Sequence, residues 1–219
     1  MGDGSRLARY CARLFKALPA AALIVTAGAL AANAQTVTGL STVATCVENT
    51  GLAQFACGYA SSATGNGYSL AVGFEAQSSG SGSAAFGPKS NASANGSVAV
   101  GYQATASAAN SVALGNRAAA SATISIALGN NAKATENAAI GLGNNSLASA
   151  NNAIAVGSGA SATADFATAL GPSAQATAAN AVAIGYGSQA TGSRGLAIRV
   201  LRRARTAELS PKVGDGLIF

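Results

Sequence analysis

The segment 97–129 reads SVAVGYQATASAANSVALGNRAAASATISIALG, and the spacing inside this stretch decides the fold. Gly101, Gly115 and Gly129 each occupy the fourteenth position after the one before, and the interval extends in both directions. Gly73, Gly87, Gly101, Gly115, Gly129, Gly143, Gly157, Gly171 and Gly185 form one unbroken series. Self-similarity at a fixed period marks a stacked repeat. With the glycine taken as position 5 of the unit, position 4 is always large and apolar: Val72, Phe86, Val100, Leu114, Leu128, Leu142, Val156, Leu170 and Ile184. Position 2 runs Leu70, Ala84, Val98, Val112, Ile126, Ile140, Ile154, Thr168 and Val182. Position 3, between them, is Ala in every unit except for Gly141. This alternation gives a strand one face of large side chains and one of minimal ones.

A second strand follows in each unit. Position 8 is only Ala or Ser (Ala76, Ser90, Ala104, Ala118, Ala132, Ser146, Ala160, Ala174, Ser188), and position 10 is Ala except for Ser78. Position 9 varies freely through Gln77, Asn91, Thr105, Lys133 and Leu147, so it is expected to face solvent. Position 11 is Ser or Thr from Ser79 to Thr191, and positions 12 to 14 carry the Ala, Asn and Gly of a turn. Each unit therefore reads as strand, glycine turn, strand, turn, which is one coil of a flattened solenoid. Its small interior is expected to hold the position 8 and 10 alanines. At about 4.8 Å per coil, the complete units give a rod roughly 40 Å long. The glycine is expected to supply either a positive φ or a close backbone approach at the first turn.

Helix is the competing reading, since the period equals two heptads and Ala favours helix. It fails on geometry: positions 2 and 4 would point about 200° apart on a helix. A glycine and a Ser/Thr column in every unit would weaken a helix further. The predicted fold class is thus all-β, a solenoid. An irregular unit precedes the series at Phe55-Ala56-Cys57-Gly58-Tyr59, where Gly58 lies one position further from Gly73 than the regular interval. The slip falls near Asn66-Gly67, and repeat arrays need atypical ends, so this segment reads as an N-terminal cap. Residues 35–53 lead into it.

Composition agrees. Of 219 residues, 9% are charged and 5% aromatic, with no His or Trp, so a conventional layered core is hard to fill. A mean hydropathy of +0.32 with so little charge argues equally against a disordered polar chain. The formal net charge of +6 sits at the two ends. Arg6, Arg9, Arg13 and Lys16 oppose Asp3 in the segment before Gln35. Arg199, Arg202, Arg203, Arg205 and Lys212 oppose Glu208 and Asp215 after Ile198. Between them Lys89, Arg117, Lys133 and Arg194 balance Glu48, Glu75, Glu136 and Asp165. A neutral body gives no footprint for nucleic acid.

The basic start is followed by an apolar run, Ala17 to Ala32, that ends at Ala32-Asn33-Ala34 before Gln35. This is the layout of a secretory signal peptide, residues 1–34, with cleavage between Ala34 and Gln35. The run is short for a membrane span, which needs about 20 residues, and it holds Pro19 and Gly28. Cleavage would remove Cys11 and leave Cys46 and Cys57 in an oxidising compartment, which permits a disulfide; two buried thiols or inter-chain pairing are the alternatives.

Catalytic constellations are missing from the pattern. Without His there is neither a general base of the usual kind nor a nucleophile dyad, and the four central carboxylates are scattered. No aspartate-rich calcium repeat is found, and Gly-Asn-Gly (65–67) and Gly-Leu-Gly (141–143) are too short for phosphate loops. No enzyme activity, cofactor or metal is expected.

Both faces of the position 2–4 strand read as buried, one behind large residues and one behind Ala, yet a single solenoid covers only one. Packing that strand against identical copies around a threefold axis is the simplest solution, with a dimer as the other. Asn110-Ser111-Val112-Ala113-Leu114-Gly115, Asn180-Ala181-Val182-Ala183-Ile184-Gly185 and Gly96-Ser97-Val98-Ala99-Val100-Gly101 resemble the head repeats of YadA-like trimeric autotransporter adhesins. The resemblance covers residues 54–198. It implies a homotrimeric, left-handed parallel β-roll at the outer membrane of a Gram-negative bacterium. It also implies attachment to host extracellular matrix or cells and bacterial aggregation, with no membrane contact by the head itself.

The repeat breaks at Arg199, which stands where glycine belongs, and the basic tail 199–219 reads as unrelated sequence. The neck, stalk and anchor that the resemblance implies are not recognisable in it. A frameshifted or truncated gene is the expectation, which would make the product periplasmic or secreted; a basic cap or membrane-touching tail is the alternative. Two other functions compete with the adhesin head. One is a passive or ice-binding solenoid using the position 11 hydroxyls, and the other is a non-functional remnant of a longer adhesin.

Overall fold

The computed structural model describes residues 46–49 and 51–199. The signal segment with its Ala34–Gln35 junction, the lead-in up to residue 45 and the tail after Arg199 lie outside the described residues.

The described chain forms two sheets and no helix. Positions 2–4 of each coil make a short strand, such as Val112–Leu114, and positions 9–10 a still shorter one, such as Ala119–Ala120. The longer strands stack in sequence order into a 12-stranded sheet that starts with Cys46–Asn49 and Gln54–Cys57 and ends with Leu196–Ile198. The shorter strands stack into a 10-stranded sheet from Ser62–Ala63 to Gln189–Ala190. Pairing along the coils is parallel: Val112 lies beside Val98 and Ile126, and Leu114 beside Val100 and Leu128. This is a solenoid in which each strand residue stacks on its counterpart one repeat away.

The interior is built from four columns of the smallest side chains. Ala113 and Ala127 at position 3, Ala104 and Ala118 at position 8 and Ala106 and Ala120 at position 10 are fully buried. Position 1, which the sequence reading left out, joins them: Ser83, Ser97, Ser111 and Ser125, then Ala139, Ala153, Ala167 and Ala181. The two sheets are therefore separated by methyl and hydroxymethyl groups alone. The other side of the 12-stranded sheet is different. Both faces of those strands were expected to be buried, but only the Ala face is sealed within one chain. The large position 2 and 4 residues stand half open, with Phe86 at 37%, Leu128 at 42% and Leu170 at 45% exposure.

Both corners of each regular coil are the same device. The position 8 N–H donates to the position 5 carbonyl, and the position 1 N–H donates to the position 12 carbonyl, as Ala118 does to Gly115 (3.3 Å) and Ser125 to Ala122 (3.1 Å). The third residue of each turn, position 7 or 14, has φ near +55°, as at Arg117 and Asn110. A positive φ in the third place with Pro in the second (Pro88, Pro172) is the signature of a type II turn. Asn110, Asn131, Asn145, Asn152 and Asn180 occupy this third place because Asn tolerates the left-handed region.

The repeat glycine meets both demands set out for it. Gly115 has φ +134°, and a Cβ there would lie 2.4 Å from the carbonyl oxygen of Gly129 in the next coil. Serines at position 8 then use the same glycine carbonyl: Ser90 Oγ donates to Gly87 O at 2.8 Å. The one Ser at position 10 is explained by its neighbour, since Ser78 Oγ donates to Ser83 O at 2.9 Å and contacts Ser83 Oγ at 2.6 Å.

At the N-terminal end the pattern changes. Ser62–Ala63 pairs with Gln77–Ser78 at a spacing one longer than that between Gln77–Ser78 and Asn91–Ala92. Gly82 N–H donates to Gly67 O, matching Gly96 to Ser81 one coil on, so the extra residue is Asn66, between Gly65 and Gly67. Before it, Cys46–Asn49 pairs antiparallel with Gln54–Cys57, while all other pairs among the described residues are parallel. Cys46 and Cys57 are directly opposite in that hairpin and are disulfide-bonded.

Candidate interaction surfaces

With the interior closed by Ala and Ser, the described residues can meet a partner only through their outer columns. Three are distinct in chemistry.

The first is the outer face of the 12-stranded sheet. Along positions 2 and 4 it presents mainly Leu, Ile, Val and Phe from Phe55 and Leu70 to Ile198, with Cys57, Ala84 and Thr168 as the exceptions. In-register stacking makes each column continuous, with like residues about 4.8 Å apart. Singly exposed apolar residues are ordinary, but a contiguous apolar face marks an interaction surface. Within the regular coils the largest step in side-chain size falls at one place. Ala84 leaves a notch in column 2 between Leu70 and Val98, while Phe86 makes a knob in column 4 between Val72 and Val100.

The second is the outer face of the 10-stranded sheet. Position 9 there carries Gln77, Asn91, Thr105, Ala119, Lys133, Leu147, Ser161, Gln175 and Gln189, a mixed and mainly polar series. The Ser/Thr column at position 11 sits beside it and is mostly exposed.

The corners form the third surface. At position 6, Tyr59, Phe74, Pro88 and Tyr102 follow one another on adjacent coils and are open to solvent. The rings of Tyr59 and Phe74 stack with centroids 5.4 Å apart. Beside them Lys89 Nζ lies 3.7 Å from Glu75, and Arg117 Nε donates to Gln103 at 3.1 Å. Both pairs are exposed and contribute at most about 1 kcal/mol. At the other corner, Asp165 Oδ1 accepts from the Asn151 N–H at 3.1 Å, and Asn95 Oδ1 from the Ser81 N–H at 3.0 Å. Ile124 and Phe166 project there, 59% and 58% exposed, with φ near +58°.

The four carboxylates are not brought together. Glu75 pairs with Lys89, Asp165 bonds a turn, Glu136 is exposed at position 12, and Glu48 lies in the N-terminal hairpin. Among the described residues no group of three His, Cys, Asp or Glu could hold a metal ion. The position 1 serines were missed by the sequence reading, although Ser or Ala before every position 2 residue from Leu70 to Val182 was the signal for them.

Comparison with known families gives one result. The YadA head domain repeat matches residues 67–90, 78–104, 92–118, 120–146, 134–160, 148–174, 162–188 and 176–198, more than half of the chain. That family is a structural adhesin domain and not an enzyme family. No curated protein sequence matches the chain.

Proposed function

We propose, from the premise that this chain belongs to the YadA head domain repeat family, that it is the head of a surface adhesin which works as a homotrimer. An adhesin-type function is what the family suggests. The finer reading is attachment to host extracellular matrix or cells, together with bacterial aggregation, by a chain exported through its N-terminal signal and displayed at the cell surface.

The observation that carries this reading is the apolar outer face of the 12-stranded sheet. A solenoid needs no large apolar columns outside its own core, and each Leu or Ile left half open forgoes on the order of 1 kcal/mol of burial. Identical copies packed through that face around a closed axis would recover it. The polar sheet and the corners would then remain outside, repeated along the rod and over three chains. Weak contacts repeated in this way bind by avidity, without any single deep site.

Light scattering after gel filtration of the exported chain tests the assembly, and three times the chain mass is expected. Binding of that assembly to immobilised matrix proteins and cultured cells, and clumping of bacteria that display it, tests the function. A monodisperse single chain would overturn the first part, and a stable trimer that binds no matrix, cell or other trimer would overturn the second.

A further inference from the structure

A face made of identical steps has a difficulty of its own. If three chains pack through columns 2 and 4, each could slide along its partners by one coil, about 4.8 Å. Nearly every contact would be replaced by an equivalent one. Central coils offer no resistance: Ile126 and Leu128 are followed by Ile140 and Leu142, then Ile154 and Val156. Sliding by one coil would lose a single pair of facing coils at each interface.

We infer that Ala84 and Phe86 are the register lock of the assembly, the knob of one chain seating in the notch of the next copy. The inference rests on the homotrimeric reading above. In a threefold arrangement of strands perpendicular to the axis, each strand forms one side of a triangle. The C-terminal end of one side meets the N-terminal end of the next, so position 4 of each chain faces position 2 of its neighbour. In register, Phe86 comes against Ala84, the largest side chain of its column against the smallest of the other.

A slide of one coil destroys that match twice. Phe86 would press on Leu70 or Val98, which are already full-sized, and the Ala84 notch would face Val72 or Val100 and stay partly empty. Overpacking and voids both destabilise close-packed contacts. In-register volume is conserved, since Ala plus Phe replaces the Val98 plus Val100 of the adjoining coil. Both side chains point outward, opposite the buried Ala85, so the fold of the single chain has no use for this unevenness.

Disulfide trapping between co-expressed full-length chains tests the lock. A tagged chain with Leu114→Cys is paired with an untagged chain carrying Val112→Cys, the in-register partner. Val98→Cys and Ile126→Cys serve as the partners one coil off, and the wild-type cysteines as background control. In the otherwise native sequence, trapping with Val112→Cys should exceed either offset pair by about tenfold or more. In the Ala84→Val, Phe86→Val background, which copies the Val98 and Val100 coil, the offset pairs should rise until they rival the in-register pair. Light scattering should still give the trimer mass. An in-register preference that the double variant leaves unchanged would overturn the lock. A native sequence that traps all three pairs equally would overturn it too. A single-chain mass in the native protein would instead overturn the assembly itself.

Discussion

The two sheets share an interior and differ on the outside. Inward, both present Ala and Ser with essentially no exposure: Ala113 and Ala127 from one, Ala106 and Ala120 from the other. Outward, the long-stranded sheet carries mostly Val, Ile and Leu, and the short-stranded sheet carries Gln, Thr, Lys, Leu and Ser in no order. The interior is thus dictated by the spacing of the sheets, which admits nothing larger than a hydroxymethyl group. The exterior is free, so uniformity on only one of the two outer faces reflects a demand from outside the chain.

The comparison breaks most completely if the inside is given outside chemistry. Ala113→Leu puts a large side chain where no space exists, and should cost about 3 kcal/mol or more, seen as lost β-signal and a collapsed thermal transition in circular dichroism. Thr105→Leu adds similar bulk to the short-stranded sheet's exterior, as Leu147 already does, and should leave the melt unchanged. The next effect separates the two exteriors. Leu128→Asp with Leu170→Asp should abolish assembly, raising the dissociating concentration at least about a hundredfold, while the chain's own spectrum stays native. Gln175→Asp with Lys133→Asp should leave the assembled mass as it was. Smaller, and confined to the N-terminal end, is the loss of the disulfide. Cys57→Ser removes a link across a sequence separation of 11 and should weaken the hairpin by roughly 2–3 kcal/mol. Hydrogen exchange should accelerate at residues 46–57 and not in the coils beyond Gly73. Least of all is Ser125→Ala, which removes a 2.5 Å bond to Ala122 O. It should cost about 1 kcal/mol or less by thermal melting, because Ala139 fills the same place one coil on with its backbone turn intact.

The long-range order of the fold was legible in the sequence because stacking imposes one residue type on each column. The glycine series, the apolar columns and the one-residue slip before Gly67 all follow from that rule. The corners were harder to read. Ile124 and Phe166 take a left-handed conformation that neither favours. Their N–H groups are held by Ala109 O and Asn151 O of the preceding coil, at 3.0 and 2.9 Å, so the stack overrides local preference. The antiparallel hairpin was also hidden, since Cys46–Asn49 occurs once and no period announces it. Of the candidate surface, the apolar columns could be read from alternation alone. Which side of the strand faced inward was not read, since both faces looked buried; the structure seals the position 3 alanines, such as Ala113 and Ala127, inside.

Strict register also governs how such a chain can change over generations. Each coil touches only the coil before and the coil after, through bonds that join like positions of neighbouring repeats. Gaining or losing one whole unit from the gene therefore creates no new kind of contact. It lengthens or shortens the rod by about 4.8 Å, so reach changes in fixed increments. A change of any other size has to be absorbed within a corner, as the extra Asn66 is, where Gly58 still lies against Gly73 in the next coil.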